Sequence, residues 1–269
     1  MKRLCKIAVF MLVIGLILAV VGGIWGGHLY LPWDRGNTAE WDSQSGRNSV
    51  TEVSDFSTDT LDKVTALDLD LDAVEFVIEE GTDWNLESDF SDTYLTTNLD
   101  GTTLYIKANR SRPWRKHTQH HTVVLTVPED VHLATFDCDL DAGTVEIDTL
   151  RAKQTILNVD AGSIEIDTLR GGSLDADCDA GSIEILSARL TRGSALDCDA
   201  GSIELGLHKD STLSTVSGSV QLGSITINGQ DCGDGLSEQF STPLIADGNA
   251  SGETLTLDCD VGSIEITSD

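Results

Sequence analysis

From Val64 onward the chain alternates apolar and polar residues with period two, the spacing of a half-buried β-strand. Thr65-Ala66-Leu67-Asp68-Leu69-Asp70-Leu71-Asp72 begins the pattern, and Val74-Glu75-Phe76-Val77-Ile78 carries it to a turn at Glu80-Gly81. Tyr94–Asn98 and Thr103–Lys107 flank Asp100-Gly101, the signal of a hairpin or corner. Thr122-Val123-Val124-Leu125-Thr126-Val127 is a further strand, ended by Pro128.

Beyond it one phrase recurs. Asp-Cys-Asp-Ala-Gly-Ser-Ile-Glu-Ile stands at Asp177–Ile185 and, ending in leucine, at Asp197–Leu205. Variants occupy Asp137–Ile147, Asn158–Ile166 and Asp258–Ile266, and a degraded copy runs from Val216 to Leu222. Gly143, Gly162, Gly181 and Gly201 are 19, 19 and 20 residues apart. A fixed period of this length marks a stack of structural repeats.

Within a phrase, Ala176 and Cys178 share one strand face, and Asp177 and Asp179 share the other. The parity changes across Ala180-Gly181, so the chain turns a corner there, and the expectation is a glycine chosen for its unusual φ. Two short strands, a corner and a polar return make one coil of a β-solenoid, which sets the fold class as all-β and parallel β-helix-like. Coils stacked about 4.8 Å apart place Val145, Ile164, Ile183, Ile203 and Ile264 in one interior ladder. Phe136, Leu157, Ala176, Leu196 and Leu257 form a second, and Cys138, Val159, Cys178, Cys198 and Cys259 a third. Valine in the third ladder says that the position takes a small apolar filler, which buried free cysteine also supplies. A disulfide between Cys178 and Cys198 is the competing reading.

Outward, the same register stacks aspartates at 139, 160, 179, 199 and 260 and glutamates at 146, 165, 184, 204 and 265. Two carboxylates one strand apart repel by about 0.9 kcal/mol even in bulk water. Counter-ions, raised carboxyl pKa values or splayed side chains must relieve the rows.

Charge sharpens this picture. The 269 residues hold 45 Asp+Glu against 17 Lys+Arg, a formal net charge of −28. That balance excludes nucleic acid as the expected partner, because phosphate binding needs a basic patch. Aromatic residues make up only 5% of the chain, too few for a large globular core but enough for a slim one of Ile, Leu, Val and Ala.

The N-terminus is built differently. Lys2, Arg3 and Lys6 precede Ile7–Trp25, a charge-free run long enough to cross a bilayer as a helix. The positive flank predicts a cytoplasmic tip and an outward C-terminal part. A cleaved signal peptide is the alternative, against which stand the length of the run and the lack of an Ala-x-Ala site. The expected division is a basic tip and transmembrane helix over 1–27, a polar stalk over 28–60, and an extracellular repeat domain over 61–269. Within that domain an insertion lies at about 228–250, and the final coil, Thr254–Thr267, has no separate cap after it.

One stretch departs from the acidic rule: Lys107, Arg110, Arg112, Trp114, Arg115, Lys116, His117, His120 and His121. It reads as the only basic cluster of the repeat domain. Its plain role is a solvated loop against the acidic face. Its functional role is a docking site for an anionic glycan or an acidic partner, carried by Arg110, Arg112, Trp114, Arg115 and Lys116. Adjacent His120 and His121 point apart in a strand and lack a third ligand, so no metal site is expected there.

The basic N-terminus, single apolar span, polar linker, Val127-Pro128 turn and repeated Gly-Ser-Ile-Glu-Ile units together resemble the putative-adhesin family of membrane-anchored β-strand-repeat proteins, common in Gram-positive bacteria. The resemblance covers the anchor and residues 64–269. It implies a right-handed β-solenoid outside the cell and no catalytic residues. It is similar also to membrane-anchored proteins of cell-envelope stress systems.

The chain carries no Gly-x-Ser-x-Gly elbow, zinc spacing or phosphate loop. Paired carboxylates such as Asp177 and Asp179 recur indiscriminately, whereas a glycosidase needs one acid tuned apart from its partner. The expectation is therefore a non-enzymatic protein without catalytic or cofactor-binding residues. Calcium is the one ion that the aspartate columns raise, although the Gly-Gly-x-Gly-x-Asp nonapeptide of calcium-binding solenoids is absent. The functional expectation is a single-pass cell-membrane protein whose outer domain contacts a protein or glycan at the cell surface. An accessory of envelope-stress signalling and a passive envelope scaffold are the alternatives.

Overall fold

The corner at Ala180-Gly181 sets how tightly the coils stack. A computed structural model of the protein describes residues 61–88, 94–109, 122–233, 238–243 and 252–268. Sixteen strands among them belong to one continuous sheet. The basic tip, the apolar run and the stalk at 1–60 lie outside the described residues, as does the basic run from Arg110 to His121.

The central coils pair parallel and in register. Strand β6 (Leu133–Val159) lies against β7 (Ser163–Cys178), which pairs with both β8 (Ser182–Arg189) and β9 (Ser194–Cys198). The pairing is like on like: Val145 with Ile164, Ile164 with Ile183, Cys178 with Cys198, and Glu165 with Glu184. Register is fixed because a slip of one residue would turn every isoleucine to solvent and every glutamate inward. Each coil points residues such as Ile183, Ile185, Ala188, Leu196 and Cys198 into the core at 1% exposure or less.

The corner glycines explain themselves by space. Gly162, Gly181, Gly201 and Gly262 have no positive φ. A methyl group on Gly181 would stand 2.3 Å from the Gly162 carbonyl oxygen and 2.5 Å from Val159 Cγ1. On Gly201 it would meet the Cys178 sulfur at 2.5 Å and the Gly181 carbonyl at 2.6 Å. Glycine is needed because successive corners nearly touch. The expectation of an unusual φ holds only at Gly143, with φ 119°, where the phrase is two residues longer and the register shifts against Leu71–Val74.

Chain order and spatial order differ at both ends. At one end, β4 (Thr103–Asn109) and β5 (Thr122–Pro128) together form a coil that lies outside β1 (Ala66–Gly81). Strand β1 is therefore sandwiched between that coil and β6. At the other end, β15 (Glu253–Cys259) and β16 (Ser263–Ser268) pair with β9 and with β10 (Ser202–Leu207). The degraded repeat, β11 (Leu213–Val220) and β12 (Ser224–Ile227), lies outside them. The final coil of the sequence is thus the penultimate coil in space.

Every outer edge is finished by an antiparallel strand. Strand β2 (Asn85–Ser88) covers β5, and β3 (Leu95–Asp100) covers β4. At the far end β13 (Gln230–Gly233) covers β12, and β14 (Glu238–Pro243) covers β11. The stretch that the repeat pattern marks as an insertion supplies these last two strands, so capping comes from within the repeat region. The covering strands are only 4 to 6 residues long, which blunts the edges against strand-by-strand addition of another chain.

Candidate interaction surfaces

Three ladders of charge run along the outside of the coils. The first is aspartate before the corner: Asp68 beside Asp137, Asp70 beside Asp139, and Asp177, Asp197 and Asp258 in line. Burial pushes the carboxyls of Asp68, Asp72, Asp137, Asp177 and Asp197 above the ordinary aspartate value, and neighbouring carboxylates push them further. The second is a column of five glutamates after the corner, Glu146, Glu165, Glu184, Glu204 and Glu265. Val77 ends it on one side and Thr226 on the other.

The outermost coils close the acidic rows with donors. Ser219 Oγ donates to Asp258 at 2.8 Å, and Gln221 Nε2 donates to Asp260. At the opposite end Lys107 is ion-paired with Asp70, and the Thr122 and Thr126 hydroxyls donate to Glu75 and Glu79 at 3.3 and 3.2 Å. Within the stack Asn158 Nδ2 donates to Asp139. The loss of aspartate in the degraded repeat therefore has a physical role: a coil with neutral donors stands where the carboxylate column must stop.

The third ladder is basic. Arg151, Arg170 and Arg189 stand side by side on successive coils, with Arg151 held half-buried by an ion pair to Glu80. Arg170 and Arg189 are exposed, as are Lys153 and Arg192 close by in the chain. This corrects the reading of Lys107–His121 as the only basic cluster. The signal was in the sequence, since the three arginines are each 19 residues apart, the same period as the glycines. Of the basic run, Lys107 is described and bound to Asp70, whereas Arg110, Arg112, Trp114, Arg115 and Lys116 lie outside the described residues.

Inside, Cys138, Cys178, Cys198 and Cys259 are buried free thiols. The Cys178 and Cys259 thiols both hydrogen-bond that of Cys198, and this contact together with burial raises them far above an ordinary thiol. Burial does the same to Cys138. Such thiols are neither nucleophiles nor ready ligands. Among the described residues no group of three His, Cys, Asp or Glu side chains is placed to hold a metal ion. No helix among them is long and apolar enough to cross a membrane.

In-register parallel coils, corner glycines in near-contact and charge ladders outside define an all-β protein of the solenoid-like repeat class. Residues 64–234 match the Toastrack DUF4097 family model, and the chain belongs to that family. None of the curated proteins matches it. Two solved structures are similar to it at 12% identity. One, a "putative cell adhesion protein" from Clostridium sporogenes ATCC 15579, matches over 77% of this chain and 93% of its own, with a TM-score of 0.39. The other, a "putative adhesin" from Bacteroides fragilis NCTC 9343, matches over 76% and 92%, with a TM-score of 0.34.

Proposed function

We propose that the protein is a non-enzymatic, membrane-anchored cell-surface interaction protein of the adhesin type. In this reading Ile7–Trp25 is the single membrane span and residues 28–60 the stalk. The coils wind right-handed, as parallel crossovers do, and stand outside the cell, in a Gram-positive envelope. No cofactor takes part, and calcium acts as a counter-ion to the acidic columns. The observation that carries the reading is the set of outward charge ladders, the five-glutamate column above all, on a stack whose ends are capped by short antiparallel strands. Short capping strands disfavour growth by strand addition, which leaves the lateral faces as the extended surface to meet a partner.

The basic run is the proposed contact, through Arg110, Arg112, Trp114, Arg115 and Lys116. A photoreactive residue in place of Trp114, activated on intact producing cells, tests this. Capture of a ligand only after foreign cells or matrix are added supports adhesion. Capture of the cell's own membrane proteins overturns adhesion in favour of an envelope-stress accessory. Silence in both conditions leaves a passive scaffold. Reversing Arg110, Arg112, Arg115 and Lys116 to glutamate abolishes capture if the run docks a partner.

A further inference from the structure

Three turns converge at the outer end of the stack: 61–65 before β1, 82–84 between β1 and β2, and 128–132 between β5 and β6. They enclose a cleft of about 670 Å³, within the ~300–1,000 Å³ usual for small-molecule sites. The turns are tied to the fold by backbone bonds. Val64 N donates to Leu61 O at 2.9 Å, Val131 N to Pro128 O at 3.0 Å, and Glu129 N to Gly81 O at 3.1 Å. The cleft is therefore built on fixed corners.

Trp84 lines it and is the only tryptophan among the described residues. The indole is half-buried, and its Nε1 is fully buried without a hydrogen-bond partner. What the ring offers to the cleft is therefore carbon, a flat apolar platform. Around it stand Asp62, Asp83, Asp130, His132 and Thr65, all exposed. Asp83 Oδ2 already accepts from the Thr82 hydroxyl at 3.0 Å, which orients that carboxylate.

We infer that this cleft is a binding site for a short neutral or N-acetylated oligosaccharide, stacked on Trp84 and hydrogen-bonded by the surrounding carboxylates. An aromatic carbon face meets the C–H face of a pyranose ring, and carboxylate oxygens accept from its hydroxyls. The carboxylates exclude uronic and sialic acids by like-charge repulsion. Among the described residues no three such groups are placed to hold a metal ion, so these carboxylates serve as directional acceptors rather than as a cage for a cation. The ligand class deepens the surface-interaction reading and rests on it for its biological meaning, while the site itself stands apart from the basic run.

Saturation-transfer NMR on the full chain in detergent micelles, with chitotriose, cellotriose, maltotriose, trigalacturonate and choline as probes, tests the inference. The expected result is transfer to at least one of the three neutral or N-acetylated sugars and none to trigalacturonate. Affinity for that sugar should fall at least tenfold in Trp84→Ala and in Asp130→Asn, and Trp84→Phe should retain most of it. Asp130 is exposed, so its variant reports on the cleft even where Trp84→Ala fails to fold. Silence from all three sugars, equal response to trigalacturonate, binding of choline alone, or binding unchanged in Asp130→Asn and Trp84→Ala overturns the inference. None of these outcomes depends on what the basic run captures on cells, so the two readings fail separately.

Discussion

A methyl group on Gly262 would stand 2.5 Å from the Cys198 sulfur and 2.3 Å from the Gly201 carbonyl oxygen, so Cys198 and Gly262 are complementary across neighbouring coils. The same relation links Cys178 to Gly201 and Cys259 to Gly223. The ladder that meets the glycines runs Leu140, Val159, Cys178, Cys198 and Cys259. Cys138, expected in it, is displaced because the longer Asp137–Ile147 phrase sets Leu140 against Gly162 and Val159.

Gly201→Ala should cost about 1–3 kcal/mol, the range for forcing atoms into a packed core. Adding Cys178→Ala should not restore stability, because the Gly181 carbonyl at 2.6 Å still blocks the methyl. Gly101→Ala, at φ 65° with open space around it, should cost only about 1 kcal/mol. Urea midpoints of the three variants check this, and full rescue by the double variant would refute the carbonyl contact.

Thr155 is 0% exposed and its hydroxyl has no hydrogen-bond partner. The equivalent hydroxyl on a later coil, Ser194, accepts from Leu174 N at 3.0 Å and donates to Arg192 O at 3.2 Å. Thr155→Val removes an unsatisfied group at nearly constant volume and should stabilise by about 1 kcal/mol. Ser194→Ala should destabilise by a similar amount. Thermal melts of both variants decide the signs.

The raised aspartates make stability depend on pH in an unusual direction. A folded-state pKa above the unfolded value means that the folded chain holds more protons through that window, so stability falls as pH rises through it. The contribution is fully present below the unfolded aspartate pKa of about 4 and is lost on going to neutral pH. The melting temperature should therefore rise by roughly 2–4 °C on acidification from pH 7 toward the aspartate range. Asp137→Asn should flatten that slope. A melting temperature that falls steadily from pH 7 to 5 would refute the assignment.

Calcium at millimolar concentration should raise the melting temperature relative to chelator, because a divalent ion relieves the five-glutamate column more than sodium at equal ionic strength. Identical melts in the two conditions would show that the donors on the outer coils already suffice.

Cys232 should be the one thiol among the described residues that a disulfide reagent modifies in the native protein, since Cys138, Cys178, Cys198 and Cys259 are buried. Mass spectrometry of peptides after labelling in buffer and again in denaturant separates the two groups. Native labelling of Cys198 would show that the coils open readily.

Much of the fold was written in period and parity. The 19–20-residue spacing of Gly143, Gly162, Gly181 and Gly201 announced the coils, and alternation within Asp-Cys-Asp assigned inside and outside. Both are local facts that repetition makes unambiguous. The same period applied to Arg151, Arg170 and Arg189 would have exposed the arginine ladder.

Two things only the tertiary structure decided. Similar coils are nearly interchangeable neighbours, so the sequence leaves their spatial order open; Ser219 and Gln221 donating to Asp258 and Asp260 favour the degraded repeat outside the last one. The cleft at Trp84 joins turns that are far apart in the chain, from Leu61 to His132. No periodicity connects such turns; they meet because β1 lies between β5 and β6, and that placement is a property of the packed stack.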